Sequence, residues 1–216
     1  MLWPVVSGYQ VLYISRSGGT LLAIDPADGT VRWTYSFAFN GFSSPPAPEI
    51  HQGTVYVVAE QGVLHAVDSG TGRKRWDFDA GSQVFSPEAV AGRVYMCGSA
   101  ESYALDPETG RLVWSFETRG ASHPVLAGDA LFHHDGSKAL YALDSGTGKQ
   151  RWRFPLPSEV RHAPTVAEGV VCFTGDDGML RAVDARTGKQ PPPQPPARSA
   201  VATTGPAAPP PVRTAS

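Results

Sequence analysis

The chain has little cysteine, almost no asparagine, no long apolar run and no surplus of either charge, and each shortage removes a class of function. Its two cysteines, Cys97 and Cys172, lie far apart, so there is no vicinal pair to form a small disulfide ring. The single asparagine, Asn40, is flanked by Phe39, Gly41, Phe42, Ser43 and Ser44, none of which brings the carboxylates that a calcium shell needs. It reads as a turn residue. No stretch approaches about 18 consecutive apolar residues, so no membrane-spanning helix is expected. Met1-Leu2-Trp3-Pro4 has neither the charged start nor the apolar run of an export signal. With 18 basic and 20 acidic residues the formal charge is −2, and the densest basic run, Arg73-Lys74-Arg75, reads as a solvated turn. Nucleic-acid binding, which needs clustered cations, is disfavoured. The Gly-x-Ser-x-Gly elbow, the His-Glu-x-x-His motif and the phosphate loop with its Lys-Ser/Thr are all missing.

What is present is a repeat. The pattern Ala-x-Asp-x-x-x-Gly-x-x-x-Trp runs Ala23/Asp25/Gly29/Trp33, Ala66/Asp68/Gly72/Trp76, Ala104/Asp106/Gly110/Trp114 and Ala142/Asp144/Gly148/Trp152. A fifth copy, Ala182/Asp184/Gly188, has Pro192 where the Trp would stand. A period of roughly 40 residues built from short β-branched and aromatic runs predicts a radial array of small sheets. The fold class is therefore all-β: a β-propeller of four-stranded antiparallel blades, about five units, the last incomplete and the ring open or partial.

Residues 1–190 divide into units of approximately 1–40, 41–80, 81–118, 119–156 and 157–190. The stretch 191–216 holds nine of the twenty prolines and reads as a disordered tail. Pro4, Pro48, Pro87, Pro124 and Pro164 recur at one place per unit and predict an innermost strand with a free edge. Asp and Gly four apart predict a tight turn, the carboxylate accepting turn N–H groups while the glycine takes a positive φ. By period-2 alternation Trp33/Tyr35, Trp76/Phe78, Trp114/Phe116 and Trp152/Phe154 share a face, and the recurring alanine leaves a gap for the rings between blades. Truncating one of these Trp residues is expected to cost ~3–5 kcal/mol.

These motifs resemble the tryptophan-docking repeat of the quinoprotein propellers, the family of pyrroloquinoline-quinone (PQQ) dehydrogenases and their many relatives without the quinone. The resemblance implies that each Trp packs on the neighbouring blade and ties the blades together. It also implies relatives with seven or eight blades, often outside the cytoplasm, so this chain reads as a partial or shortened member. In the dehydrogenases, adjacent cysteines cover the quinone and Glu, Asn and Asp hold Ca²⁺. This chain lacks the cysteine pair and a recognisable Ca²⁺ shell, so no cofactor is expected and PQQ with Ca²⁺ is disfavoured. No catalytic constellation is legible, and the chain is not expected to be an enzyme.

Other candidate ligands have ordinary readings. Gly175-Asp176-Asp177-Gly178 reads as a hairpin turn. His133 and His134 are adjacent on a strand and face opposite sides, so they cannot share one metal ion. Ser44, Ser86, His123 and His162, beside the inner-strand prolines, are candidate contacts at the channel mouth. Three functions remain in view: a binding scaffold or sensor module for an unidentified protein, a fragment of a quinone-dependent alcohol or sugar dehydrogenase, and a shortened product without independent function. Incomplete blade edges predict self-association.

Overall fold

The computed structural model describes residues 2–7, 11–39, 46–118, 122–136 and 138–190, with residues 2–7 described by backbone alone. Asn40, Ser44 and the stretch 191–216, which includes Pro192, lie outside the described residues.

Among the described residues five antiparallel sheets follow one another in sequence. The first is β1 (Leu2–Ser7), β2 (Val11–Arg16), β3 (Thr20–Ile24) and β4 (Val31–Ser36). The second is β5 (Glu49–His51), β6 (Thr54–Val58), β7 (Val63–Asp68) and β8 (Lys74–Asp79), with a 3₁₀ turn at Glu60–Gly62. The third is β9 (Glu88–Val90), β10 (Arg93–Cys97), β11 (Glu101–Leu105) and β12 (Leu112–Glu117). The fourth is β13 (Val125–Ala127), β14 (Ala130–His134), β15 (Ala139–Asp144) and β16 (Gln150–Pro155). The fifth has three strands among the described residues: β17 (Thr165–Ala167), β18 (Val170–Thr174) and β19 (Leu180–Asp184). Strand order equals chain order in every sheet, because each connection is a hairpin between neighbours. Each sheet is a propeller blade.

Inner strands of successive units approach one another, β1 beside β5, β5 beside β9 and β13 beside β17, and so line the channel side. The recurrent proline sits inside β1 in the first unit but immediately before β5, β9, β13 and β17 in the others. It therefore opens the inner strand, where no ladder donor is required of it.

The core lies between sheets. Tyr56, Leu64, Ala66 and Trp76 of unit two form one cluster with Ala89, Val94, Met96 and Leu105 of unit three. Phe132, Leu140 and Trp152 of unit four join Val171, Phe173 and Val183 of unit five in the same way. Period-2 alternation gives each blade two apolar faces, and each face is buried only by stacking on the next blade.

Candidate functional site

The joint between blades repeats four times with one geometry. In register, Trp33 lies opposite Ala23, Trp76 opposite Ala66, Trp114 opposite Ala104 and Trp152 opposite Ala142, and a register shift follows each alanine. This recurrent bulge re-aims the outer strand. The indole N–H of Trp33 then donates to Ser69 O at 2.9 Å, that of Trp76 to Pro107 O at 2.9 Å, that of Trp114 to Ser145 O at 2.8 Å and that of Trp152 to Ala185 O at 2.9 Å. Every acceptor is the residue after the motif Asp of the following unit.

The motif glycine is the platform on which the ring lies. A Cβ on Gly72, Gly110, Gly148 or Gly188 would stand 2.6–2.7 Å from the indole of Trp33, Trp76, Trp114 or Trp152 respectively. Only glycine leaves that space, and its φ near +70° fits the turn as well. At Gly29 no described residue lies within 4 Å of the same position. Behind each of the four indoles a second-strand ring of the same unit packs on the Trp: Tyr13, Tyr56, Tyr95 and Phe132 at centroid distances of 5.7, 5.7, 6.1 and 5.8 Å. Unit five carries Cys172 at that place.

The motif Asp holds the turn. Asp68 Oδ1 accepts the Thr71 amide and hydroxyl at 2.8 Å each, and Asp106, Asp144 and Asp184 do the same with Thr109, Thr147 and Thr187. Asp25 accepts the Ala27 amide and pairs with Arg32. Arg75 on Asp68 and Arg151 on Asp144 hold those two carboxyls at about 2, well below the usual range.

At the opposite ends of the blades is the channel mouth, where the inner strands begin and the hairpins between second and third strands end. His123 lies 5.4 Å from the Phe85 ring, and Ser86 is half-buried between Phe85 and Pro87. The backbone carbonyl of exposed His162 accepts the Nε2–H of His134 at 2.9 Å, while His134 Nδ1 accepts the Gly136 amide at 3.0 Å, which fixes a neutral tautomer. Arg161 bridges Asp176 and Glu159, and Arg181 pairs with Asp177. Asp176 and Asp177, on the hairpin between β18 and β19, thus each pair with a guanidinium. His133 and His134 face opposite sides: His133 is fully buried, stacked on Tyr141 at 5.3 Å and edge-on to Phe116. Both its ring nitrogens lack a partner among the described residues, and burial pushes its pKa down to about 3.

Two residues that the sequence reading passed over lie on the channel wall. Glu49 pairs in register with Tyr56 and Glu88 with Tyr95, so both lie on the face turned to the next unit. Burial raises both carboxyls, Glu88 further through the charge of Glu49, while the Leu126 amide of the next inner strand opposes the rise at Glu88. The signal was available: each follows its unit's inner-strand proline, a carboxylate at one position of two consecutive repeats.

Among the described residues no group of three His, Cys, Asp or Glu side chains could hold a metal ion, and Cys97 and Cys172 are both free thiols. No helix of the described residues is long and apolar enough to cross a membrane.

A sequence profile of the family described as outer membrane protein assembly factor BamB, of the PQQ-like type, matches residues 2–119 and 98–201. The chain belongs to this family. Its fold is similar to that of BamB from Moraxella catarrhalis, with a TM-score of 0.69 at 23% identity over 84% of this chain and 60% of that one. It is also similar to a quinohemoprotein alcohol dehydrogenase from Pseudomonas putida, with a TM-score of 0.65 at 17% identity over 87% of this chain and 40% of that one. The computationally designed protein Ika8 aligns at a TM-score of 0.73 and 16% identity over 88% of this chain and 60% of that one. The chain thus spans 60% of the length of that BamB and 40% of the dehydrogenase. No curated protein matches the sequence. Proteins described as an assembly factor and as a dehydrogenase are alike in this fold, so the fold by itself does not assign a function.

Proposed function

We propose that this chain is a non-catalytic binding scaffold whose channel mouth docks a protein partner. The observation that carries this reading is the division of labour between the two ends of each blade. One end of each blade carries the docking turns, while the inner-strand starts and the opposite hairpins carry Phe85 against His123, the carboxylates Glu49 and Glu88, and the Arg161–Asp176 pair. A rim of mixed charge around aromatic contacts is the chemistry of a protein–protein surface. The family's description as an assembly factor supports a protein as the partner. No quinone or Ca²⁺ enters the reading, because Cys97 and Cys172 are not adjacent and no Ca²⁺ shell is legible around Asn40.

The test replaces Phe85 with a photo-crosslinking amino acid in the full chain within its native cells, with Val113 on an outer strand as the control site. A discrete adduct from position 85 and none from position 113 is the expected result. Equal labelling at both positions overturns the mouth assignment. Stoichiometric binding of PQQ with Ca²⁺ at about tens of micromolar, with dye reduction, overturns the non-catalytic reading.

A further inference from the structure

The outer edge of β19 differs from that of every other third strand. The position two residues before the motif alanine is Leu21, Leu64, Ser102 or Leu140 in the first four units, each 0% exposed. In unit five it is Leu180, 71% exposed, beside Met179 at 58%. In the first four units this residue pairs with the second aromatic of an outer strand: Leu21 with Tyr35, Leu64 with Phe78, Ser102 with Phe116 and Leu140 with Phe154. The strand itself is held in place. Trp152 is docked on Gly188 and Ala185, and β18 pairs with β19 along its length.

The chain's own continuation is poorly suited to that edge. Extending the register of unit four would set Pro192 opposite Ala182 and Pro193 opposite Arg181, and proline has no N–H for the ladder.

We infer that the outer edge of β19 receives an extended strand from another protein, one that carries Trp and a second aromatic two residues on. The Trp would lie opposite Ala182, where Cys172 leaves more room than the ring of the other units, and the second aromatic would cover Leu180. Backbone hydrogen bonds along the edge supply affinity, and the alternate rings set specificity, as in recognition by strand addition.

The probe is a labelled peptide of residues 109–118, Thr-Gly-Arg-Leu-Val-Trp-Ser-Phe-Glu-Thr, titrated into the full chain and followed by fluorescence anisotropy. Saturable binding is expected, weakened about tenfold or more by Trp114→Ala or Phe116→Ala in the peptide and by Leu180→Lys in the protein. Leu180 is exposed, so that variant should keep its melting temperature. No binding up to ~1 mM peptide, or binding indifferent to Leu180→Lys, overturns the inference. It is also overturned if sedimentation shows an oligomer that Leu180→Lys dissociates, because a second copy then covers the edge. Binding by a variant ending at Gln190 but not by the full chain overturns it too, because residues 191–216 are then the occupant. Glu88→Gln at the channel mouth should leave peptide binding unchanged, which separates this test from that of the proposed function.

Discussion

Substituting alanine for glycine at two equivalent turns should give unequal losses of stability. Gly29 and Gly148 share the turn and nearly the same φ, +74° and +70°. A left-handed backbone costs an L-residue ~1–2 kcal/mol, so both variants bear that strain. Their surroundings differ. At Gly29 the new methyl meets no described residue within 4 Å, whereas at Gly148 it would stand 2.6 Å from the Trp114 ring. Ordinary carbon contacts lie at about 3.5–4.0 Å, so the indole must retreat by roughly 1 Å. That retreat pulls its N–H from Ser145 O, now at 2.8 Å. Overpacking of this kind costs a further ~1–3 kcal/mol. Urea unfolding followed by far-UV circular dichroism should therefore place Gly148→Ala ~1–3 kcal/mol below Gly29→Ala. In a Trp114→Ala background the excess at Gly148 should vanish, since there is no ring to displace. Equal losses at the two glycines, or an excess that survives removal of Trp114, would refute the platform role assigned to the motif glycine.

Three further outcomes follow from the buried groups and the turns. His133 has a folded pKa pushed below its unfolded value, so the neutral side chain's stability is fully present above about pH 6.5 and is lost on acidification at up to ~1.4 kcal/mol per pH unit. His133→Phe should flatten the stability profile between about pH 6.5 and 5, as read by urea midpoints at each pH. Cys97 is fully buried beside Ser102 and its thiol is pushed up to about 12, so Ellman's reagent should titrate Cys172 in the native protein and reach Cys97 only on unfolding. Arg151 bridges Asp129 and Asp144. Arg151→Ala should raise the Asp144 pKa from about 2 toward the ordinary range, visible by NMR titration, at a stability cost below ~1 kcal/mol because the pair is largely solvent-screened.

The blades were legible in the sequence because their determinants are local. Ala66 to Trp76 fixes a turn, a bulge and a ring within eleven residues, and repetition makes the pattern visible. What crosses from blade to blade was harder to read. The turn alone accounts for a glycine in the sequence, and its second task exists only across the joint, where Trp114 lies on Gly148 of the next unit. His133 was recognised as pointing away from His134, yet its burial against Phe116 and Tyr141 depends on a neighbouring blade. At the mouth, His123 and Ser86 are candidates only from their place beside a proline. Glu49 and Glu88 were missed because a lone carboxylate on a short strand carries no local sign of desolvation.

The indole passes in one direction only, from each blade to its successor. Blades two, three and four are therefore gripped on both sides, each giving a ring and receiving one. The first blade gives without receiving, its Gly29 turn lying under no described indole, and the fifth receives Trp152 on its own turn at Gly188 but gives no indole among the described residues. Coupling of this kind runs between nearest neighbours, so a variant that breaks one joint should loosen the two blades it joins before the others.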